Sequence, residues 1–177
     1  MSASTDAHKK TAPHRLSFHV ITVSTSKHLE NRAGSPPNDV SGKKITQLVR
    51  EKGYVVAGRT LIPDNLAKIR KLVRTLVKKE DIDIIVITGG TGITQSDVTI
   101  EAITPLLDKT LPGFGELFRR KSYEKIGTAA ILTRAVGGII KGKAIFSIPG
   151  SPDSVEIALK EVILPESGHI IKHSREK

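Results

Sequence analysis

The sequence predicts an α/β fold: a three-layer α/β/α domain with a mostly parallel central sheet. Apolar, β-branched runs that suit strands buried on both faces alternate with amphipathic segments at helical spacing. Two of these runs end in glycine loops that lead directly into helices, as in open α/β sheets. The chain has 177 residues, 38% of them hydrophobic, which is enough for one good core and therefore one domain.

The most informative stretch lies in the middle of the chain. Residues 82–88 predict a buried strand, and a helix follows over residues 98–107. Asp97 stands between them and either caps the helix or contributes to an anion site at the end of the strand. Glycines let the backbone N–H groups approach a ligand. The loop that we expect to bind such a ligand comprises Gly89, Gly90, Thr91 and Gly92.

The first strand is predicted from residue 16 onward, and it ends in hydroxyl residues. Ser24, Thr25 and Ser26 either cap the turn or offer hydroxyls to a ligand. Residues 27–39 are polar and contain glycine and prolines, so we expect a mobile loop. A helix capped by Asp39 or Ser41 then runs to Lys52.

A second strand over residues 54–62 precedes a helix with apolar residues on one face. Pro63 prevents a helix through the residue before it, so Asp64 or Asn65 lies where the helix begins. Asp64 is either the N-cap or a carboxylate near Asp97, if the two strands are close. Two such carboxylates could hold a divalent cation against a polyphosphate.

The second half of the chain predicts further strands and helices. We expect a turn and then a short helix from residue 111, followed by strands over residues 129–136 and 143–148. Gly137, Gly138 and Gly142 are predicted to form a hairpin-like connection between these strands. Arg119, Arg120 and Lys121 form either a solvated face or a cationic wall over a phosphate pocket. Gly150 and Ser151 precede a helix over residues 153–164 and are predicted to form a second anion-binding site.

Composition narrows the function classes. The net charge is +10, but the cations are scattered, and there is no tryptophan and no nucleic-acid-binding signature, so we expect no nucleic-acid partner. No apolar run is long enough to span a membrane, and the absence of cysteine favours a cytoplasmic location. Residues 1–14 are predicted to be a disordered basic tail before a single domain over residues 15–177. Among the six histidines we expect neither a zinc site nor catalysis.

Several loops together resemble one family, the molybdopterin-binding proteins of molybdenum cofactor biosynthesis, and its B-type members most of all. The resemblance covers about residues 16–164. Its motifs are Leu61-Ile-Pro-Asp64, Thr88-Gly-Gly-Thr-Gly92 with Asp97-Val98-Thr99, Pro112-Gly-Phe-Gly-Glu116, Ser122-Tyr-Glu-Lys-Ile-Gly127, Thr133-Arg-Ala-Val136 and Pro149-Gly-Ser-Pro152.

The resemblance implies the molybdopterin-binding fold, assembled as a homotrimer or homohexamer. It implies a Mg²⁺-dependent adenylyltransferase that moves AMP from ATP to the terminal phosphate of molybdopterin and releases pyrophosphate. Asp64 and Asp97 correspond to the acids required for catalysis and for Mg²⁺. The implied ligand-binding residues are Ser24, Ser26, Gly89, Gly90, Thr91, Gly92, Pro112, Gly113, Gly115, Glu116, Gly150 and Ser151.

One departure from the family pattern leaves alternatives open. Many adenylyltransferases of this group carry Ser-Asp-Arg directly after the first strand, whereas here Lys27 and His28 follow Ser26. A non-catalytic molybdopterin carrier or scaffold is the main alternative, and retention of Asp64 favours the enzyme. The related domain of competence-damage proteins suggests a third ligand class, a dinucleotide or a nucleotide-sugar phosphate.

Overall fold

One six-stranded sheet forms the centre of the part of the chain that the structure, a computed structural model, describes, namely residue 13 and residues 15–176. The strands are β1 Ser17–Val23, β2 Val55–Ile62, β3 Ile84–Thr88, β4 Lys109–Thr110, β5 Val136–Ile140 and β6 Lys143–Ile148, in the spatial order β2-β1-β3-β6-β5-β4. The first four strands in this order are parallel, and β5 runs antiparallel to both of its neighbours.

Helices cover both faces of the sheet, which confirms the three-layer prediction. They are α1 Thr25–Arg32, α2 Val40–Glu51, α3 Leu66–Leu76, α4 Thr99–Ile103, α5 Pro112–Ile126, α6 Pro152–Glu156 and α7 Leu164–Arg175. Short 3-10 helices, Thr104–Leu106 and Gly127–Leu132, follow α4 and α5, and a π-helix, Ile157–Ile163, joins α6 to α7. Across residues 13 and 15–176, none of the helices combines the length and the apolarity that crossing a bilayer requires.

Successive side chains of the strands point to opposite faces, so the sheet separates two apolar layers. On one face β1, β3 and β6 pack against α2, α5 and the α6–α7 segment, with Phe18, Phe118 and Phe146 almost fully buried. On the other face the same strands pack against α3 and α4, around Ile85 and Ile87. This two-sided burial explains why the central strands are almost wholly apolar.

The loop predicted over residues 27–39 is wrong in its first part, because residues 25–32 form α1. Ser24 caps this helix by accepting a hydrogen bond from the N–H of Lys27. No residue of α1 is buried, so the helix lacks the apolar periodicity by which sequence analysis detects helices. The predicted tail over residues 1–14 lies, apart from Pro13, outside the described residues.

The strand predicted over residues 129–136 is also wrong: residues 127–132 form a 3-10 helix, and β5 begins only at Val136. Gly137 and Gly138, which were predicted to form the connection, lie inside β5. A Cβ on Gly138 would come within 2.6 Å of Leu107 Cδ1, so packing excludes a side chain there. The prediction holds for Gly142, which forms the hairpin connection with Lys141, both with positive φ.

Two predicted helices are longer than expected. The helix predicted after residue 111 begins at Pro112, so Pro112 and Gly113 form its first turn rather than a preceding turn. Its 15 residues expose Leu117 and Tyr123. The helix predicted over residues 153–164 begins at Pro152 and continues through the π-helix into α7.

Candidate functional site

The carboxyl ends of β1, β2, β3 and β6 meet at one edge of the sheet because the four strands are parallel. The glycine loop follows β3, Asp64 follows β2, Ser24 follows β1, and Gly150 follows β6. The antiparallel strand β5 starts at the same edge, since Val136 pairs with Ser147 near the end of β6. Five segments that are distant in sequence are therefore brought together.

The first two glycines of the loop have no room for a side chain. Gly89 has φ 95°, and a Cβ there would lie 2.3 Å from the carbonyl oxygen of Val23. Gly90 has φ 61°, and its Cβ would lie 2.5 Å from Thr99 Oγ1 and 2.8 Å from Asp64 Oδ1. The positive φ values and this close packing both require glycine. They also place the Asp64 carboxylate directly against the loop.

The loop is held by its neighbours but leaves N–H groups available. The N–H of Gly89 donates to the carbonyl of Ile148 (3.1 Å), and the side chain and N–H of Thr99 donate to the carbonyls of Gly89 and Gly90 (both 2.9 Å). Among the described residues, the N–H groups of Gly90 and Thr91 donate to no protein acceptor. Such unsatisfied N–H groups suit an anionic ligand.

Asp64 is held by a threonine from the neighbouring loop and does not cap the helix after it. One carboxylate oxygen, Oδ2, accepts hydrogen bonds from the N–H (2.7 Å) and the hydroxyl (2.8 Å) of Thr25. Asn65 is the N-cap of α3, since its side chain accepts from the N–H of Lys68. The cap interpretation of Asp64 is therefore wrong, and its other oxygen, Oδ1, faces Gly90.

Asp97 folds back onto its own loop. Its Oδ2 accepts from the N–H (3.0 Å) and the hydroxyl (2.5 Å) of Thr94, and it would lie 2.7 Å from a Cβ on Gly92. The hydrogen bonds from Thr94 lower the pKa of the Asp97 carboxyl below its ordinary value, so Asp97 is ionised at neutral pH. Val98 precedes α4 and no side chain caps it, so Asp97 is not a helix cap.

The two acids approach the same glycine loop, Asp64 at Gly90 and Asp97 at Gly92. Both residues are half-buried. Across residues 13 and 15–176, neither carboxylate forms an ion pair with a lysine, arginine or histidine. The edge of the sheet therefore carries two carboxylates that have no direct ion-pair partner among the described residues, next to backbone donors that favour anions; the guanidinium of Arg134 lies near Asp97 but contacts its carbonyl.

Arg134 contacts the glycine loop, although it was not among the predicted site residues. Its Nε donates to the carbonyl of Thr91 (3.0 Å), one terminal nitrogen contacts the carbonyl of Asp97 (3.4 Å), and its guanidinium pairs with Glu101 on α4 at 2.5 Å. The hydrogen bond from Arg134 lowers the pKa of Glu101. The Thr133-Arg-Ala-Val136 motif was the available sequence signal, but nothing in its spacing indicated a contact with residues 91–97.

The predicted serines and the second glycine loop also reach this edge. Ser24 Oγ lies 3.3 Å from Ser26 Oγ at the start of α1. Ser151 is the N-cap of α6, accepting from the N–H of Ser154. A Cβ on Gly150 would lie 3.4 Å from the Cα of Gly89, so the two glycine loops are adjacent.

The Pro112-Gly-Phe-Gly-Glu116 motif forms the start of α5 and packs beside Ala135, the residue after Arg134. A Cβ on Gly115 would come within 3.0 Å of the carbonyl of Ala135 and 3.1 Å of the Arg119 guanidinium. These residues line a hollow of about 160 Å³, together with Pro112, Glu116 and the start of β5. Gly113 is exposed and is not among the residues that line it.

The other cations of α5 and the histidines of α7 have local partners. Lys121 pairs with Glu124 and with Glu161, so it belongs to a solvated face rather than to a wall over the site.

His169 and His173 lie one helical turn apart with ring centroids 4.6 Å apart, a spacing that the sequence analysis did not predict. In the part of the chain that the structure describes, no group of three or more histidine or acidic side chains is arranged to hold a metal ion.

Comparison with known proteins identifies the family. The sequence profile of the family described as "Probable molybdopterin binding domain" matches residues 19–169. Molybdenum cofactor biosynthesis protein B of Bacillus cereus is 44% identical over 164 residues, which are 92% of this chain and 93% of that protein. Molybdopterin adenylyltransferase of Pyrococcus furiosus is 43% identical over 175 residues, 97% of this chain and 98% of that protein.

A solved structure resembles this chain in both fold and sequence. The tungsten cofactor synthesizing protein MoaB from Pyrococcus furiosus superposes with a TM-score of 0.82 at 41% identity, covering 93% of this chain and all of that one. The resemblance inferred from the loop motifs is thus confirmed across nearly the whole length. The chain belongs to the molybdopterin-binding domain family of molybdenum cofactor biosynthesis.

Proposed function

We propose that the chain is a Mg²⁺-dependent molybdopterin adenylyltransferase. A terminal phosphate oxygen of molybdopterin attacks the α-phosphorus of ATP, the bond from that phosphorus to the β-phosphate oxygen breaks, and pyrophosphate leaves. The observation that carries the proposal is the pair of carboxylates, Asp64 and Asp97, which lie against one glycine loop without cationic partners among the described residues. The 43% identity to a protein named molybdopterin adenylyltransferase supports the same reaction.

This reaction asks for positioning and charge compensation rather than for proton transfer. The attacking phosphate oxygen is already anionic at neutral pH, so the site needs no general base. Two polyanions repel each other, and aligned N–H groups lower that repulsion. The N–H groups of Gly90 and Thr91, which donate to no protein acceptor among the described residues, support this role, and the net charge of +10 favours capture of both substrates.

The donor set fits Mg²⁺. This ion prefers oxygen ligands and is usually bound through one or two carboxylates plus substrate phosphates. Asp64 and Asp97 would provide the carboxylates, each keeping one oxygen, Oδ1, outside the hydrogen bonds made with Thr25 and Thr94. When bound, Mg²⁺ would neutralise charge on the triphosphate and on the leaving pyrophosphate.

The two substrates are assigned to two different parts of the site. The triphosphate of ATP is assigned to the glycine loop, with Ser24, Ser26, Gly150 and Ser151 around it, because these residues share its edge of the sheet. Molybdopterin is assigned to the side lined by Pro112, Gly115 and Glu116. Gly113 contributes to this side only through its place in the first turn of α5.

A homotrimer or homohexamer is part of the proposal. The end of α5 and the 3-10 helix after it expose a set of large apolar side chains, which would be costly to leave in water. These residues are Leu117, Tyr123, Ile126, Ile131 and Leu132, exposed by 51–84%. A cytoplasmic location and the lack of a nucleic-acid partner remain predictions from composition.

The experiment is to measure pyrophosphate release and transfer of α-labelled AMP from ATP, with molybdopterin added and omitted. We expect both products only when molybdopterin and Mg²⁺ are present. Tight molybdopterin binding without pyrophosphate release would contradict the enzyme and support the carrier.

A further inference from the structure

We propose that Thr25 is the positioning residue that orients Asp64 toward the glycine loop. This inference rests on the proposed role of Asp64 in binding the metal-bound nucleotide. Thr25 stands in the first turn of α1, a helix that the sequence did not predict, and none of the motifs that identify the family includes it.

Thr25 and Asp64 are joined by three hydrogen bonds. The N–H and the hydroxyl of Thr25 both donate to Asp64 Oδ2, at 2.7 and 2.8 Å. The N–H of Asp64 donates in return to Thr25 Oγ1 at 3.0 Å. The threonine hydroxyl thus donates to the carboxylate of Asp64 and accepts from its backbone N–H. Together these bonds fix both the side chain and the backbone of Asp64.

These bonds decide which carboxylate oxygen meets a ligand. With two donors on Oδ2, the carboxylate cannot rotate freely, and Oδ1 stays on the side of Gly90. Hydrogen bonds to an ionised group are stronger than neutral ones. Asp64 also lies at the N-terminus of α1, where the helix dipole favours a negative charge.

Thr25 is needed as an anchor because apolar packing does not hold α1. The helix has no buried residue. Its N-terminal turn is attached to the end of β2 by the N–H of Ser24, which donates to the carbonyl of Ile62 (2.9 Å), and by the bonds between Thr25 and Asp64. The position of α1 and the orientation of Asp64 are therefore coupled.

The test compares Thr25→Val with Thr25→Ser in the full chain. Valine keeps the shape and the N–H but removes the hydroxyl, whereas serine keeps the hydroxyl. The readout is binding of Mn²⁺ with α,β-methylene-ATP, followed by the electron paramagnetic resonance signal of free Mn²⁺. We expect Thr25→Val to weaken Mn²⁺ binding about tenfold, and Thr25→Ser to stay within about threefold of wild type.

The matched control is Thr75→Val on α3, whose hydroxyl bonds only to the carbonyl of Lys71 in its own helix. This control should bind Mn²⁺ like wild type. Thermal unfolding of each variant separates weakened binding from a loss of folding. Molybdopterin affinity should not change in Thr25→Val, whereas kcat for AMP transfer should fall about tenfold.

Three results would overturn the proposal: Thr25→Val binding Mn²⁺ as wild type does, Thr25→Ser being as weak as Thr25→Val, or no Mn²⁺ binding by the wild-type chain. The proposed function fails in a different way. A wild-type chain that binds Mn²⁺ with the nucleotide analogue but forms no adenylylated product contradicts the enzyme. The comparison of the Thr25 variants then still decides the positioning role by binding alone.

Discussion

The two edges of the sheet carry aspartates with opposite surroundings. At the amino-terminal edge, Asp83 precedes β3, accepts a hydrogen bond from the N–H of Ser17 (2.8 Å) and pairs with the guanidinium of Arg175 (2.6 Å). At the carboxyl-terminal edge, Asp64 and Asp97 are held by Thr25 and Thr94, and neither forms an ion pair within the described residues. The acid at the first edge is paired directly with a cation, whereas the two acids at the second edge are not.

This difference separates a structural acid from two candidate functional acids. The Arg175–Asp83 pair joins the end of α7 to the start of β3, and its charges balance inside the protein. Threonine donors orient a carboxylate without cancelling its charge, so Asp64 and Asp97 keep the capacity to bind a cation.

The largest effect should come from removing the charge of either acid at the carboxyl-terminal edge. Asp64→Asn and Asp97→Asn should each reduce AMP transfer at least about a hundredfold, because the metal ion that binds the nucleotide would lose a carboxylate ligand. Molybdopterin affinity, measured by fluorescence titration, should stay within about threefold. Loss of pterin binding together with activity would indicate that these acids support the fold instead.

Gly89→Ala should disrupt the loop between the two acids. The new Cβ would meet the carbonyl of Val23, and φ 95° is strained for alanine, so we expect a loss of about 3 kcal/mol in the free energy of unfolding. Gly53→Ala is the control, since Gly53 has φ 84° but no atom within 4 Å of a Cβ. Denaturant unfolding should show that the control loses only about 1 kcal/mol of its free energy of unfolding. Equal losses in the two variants would mean that close packing does not restrict the loop.

Asp83→Asn makes the same chemical change at the other edge. It removes the charge that pairs with Arg175 but leaves an acceptor for the N–H of Ser17. The free energy of unfolding should therefore fall by about 1 kcal/mol. AMP transfer per folded molecule should equal that of wild type. A fall in activity comparable to that of Asp64→Asn would remove the distinction between the two edges.

The smallest effect concerns pH. The pKa of Asp97 is lowered in the folded state by the hydrogen bonds from Thr94, so its contribution to stability is full above the ordinary carboxyl pKa and is lost as pH falls through the lowered value. Thr94→Val should raise this pKa, observed as a shifted ¹³C-carboxyl titration, and reduce stability at neutral pH by less than about 1 kcal/mol. An unchanged titration would show that the hydroxyl of Thr94 is not the cause.

Sequence patterns predicted the layers of the fold and most of the strands. The apolar runs of β1, β3 and β6 are buried on both faces, and the N-caps Asp39 and Ser151 give local signals that do not depend on the rest of the chain. Prediction failed where tertiary packing decides the conformation. Gly137 and Gly138 occur in β5 because Phe114, Phe146 and Leu107 occupy the space of a side chain, a fact that no local window contains.

The same limit applies to the site. Asp64, Asp97 and the glycines follow predicted strands, so the sequence indicated that they would lie at one edge of the sheet, because loops after parallel strands meet there. The contacts that orient these groups come from Thr25, which is 39 positions away from Asp64, and from Arg134, which is 37 positions away from Asp97. Only the folded chain reveals contacts between residues so far apart in sequence. The helix α1 was missed for a related reason, since it buries no apolar face.

The most direct test of the account is a single-turnover measurement of AMP transfer by the double variant Asp64→Asn/Asp97→Asn, with Asp83→Asn measured in parallel. We expect the double variant to bind molybdopterin, to keep its fold and to form no adenylylated product above background, while Asp83→Asn reacts at the wild-type rate. Full turnover by the double variant would contradict the claim that the two unpaired carboxylates at the glycine loop carry the reaction.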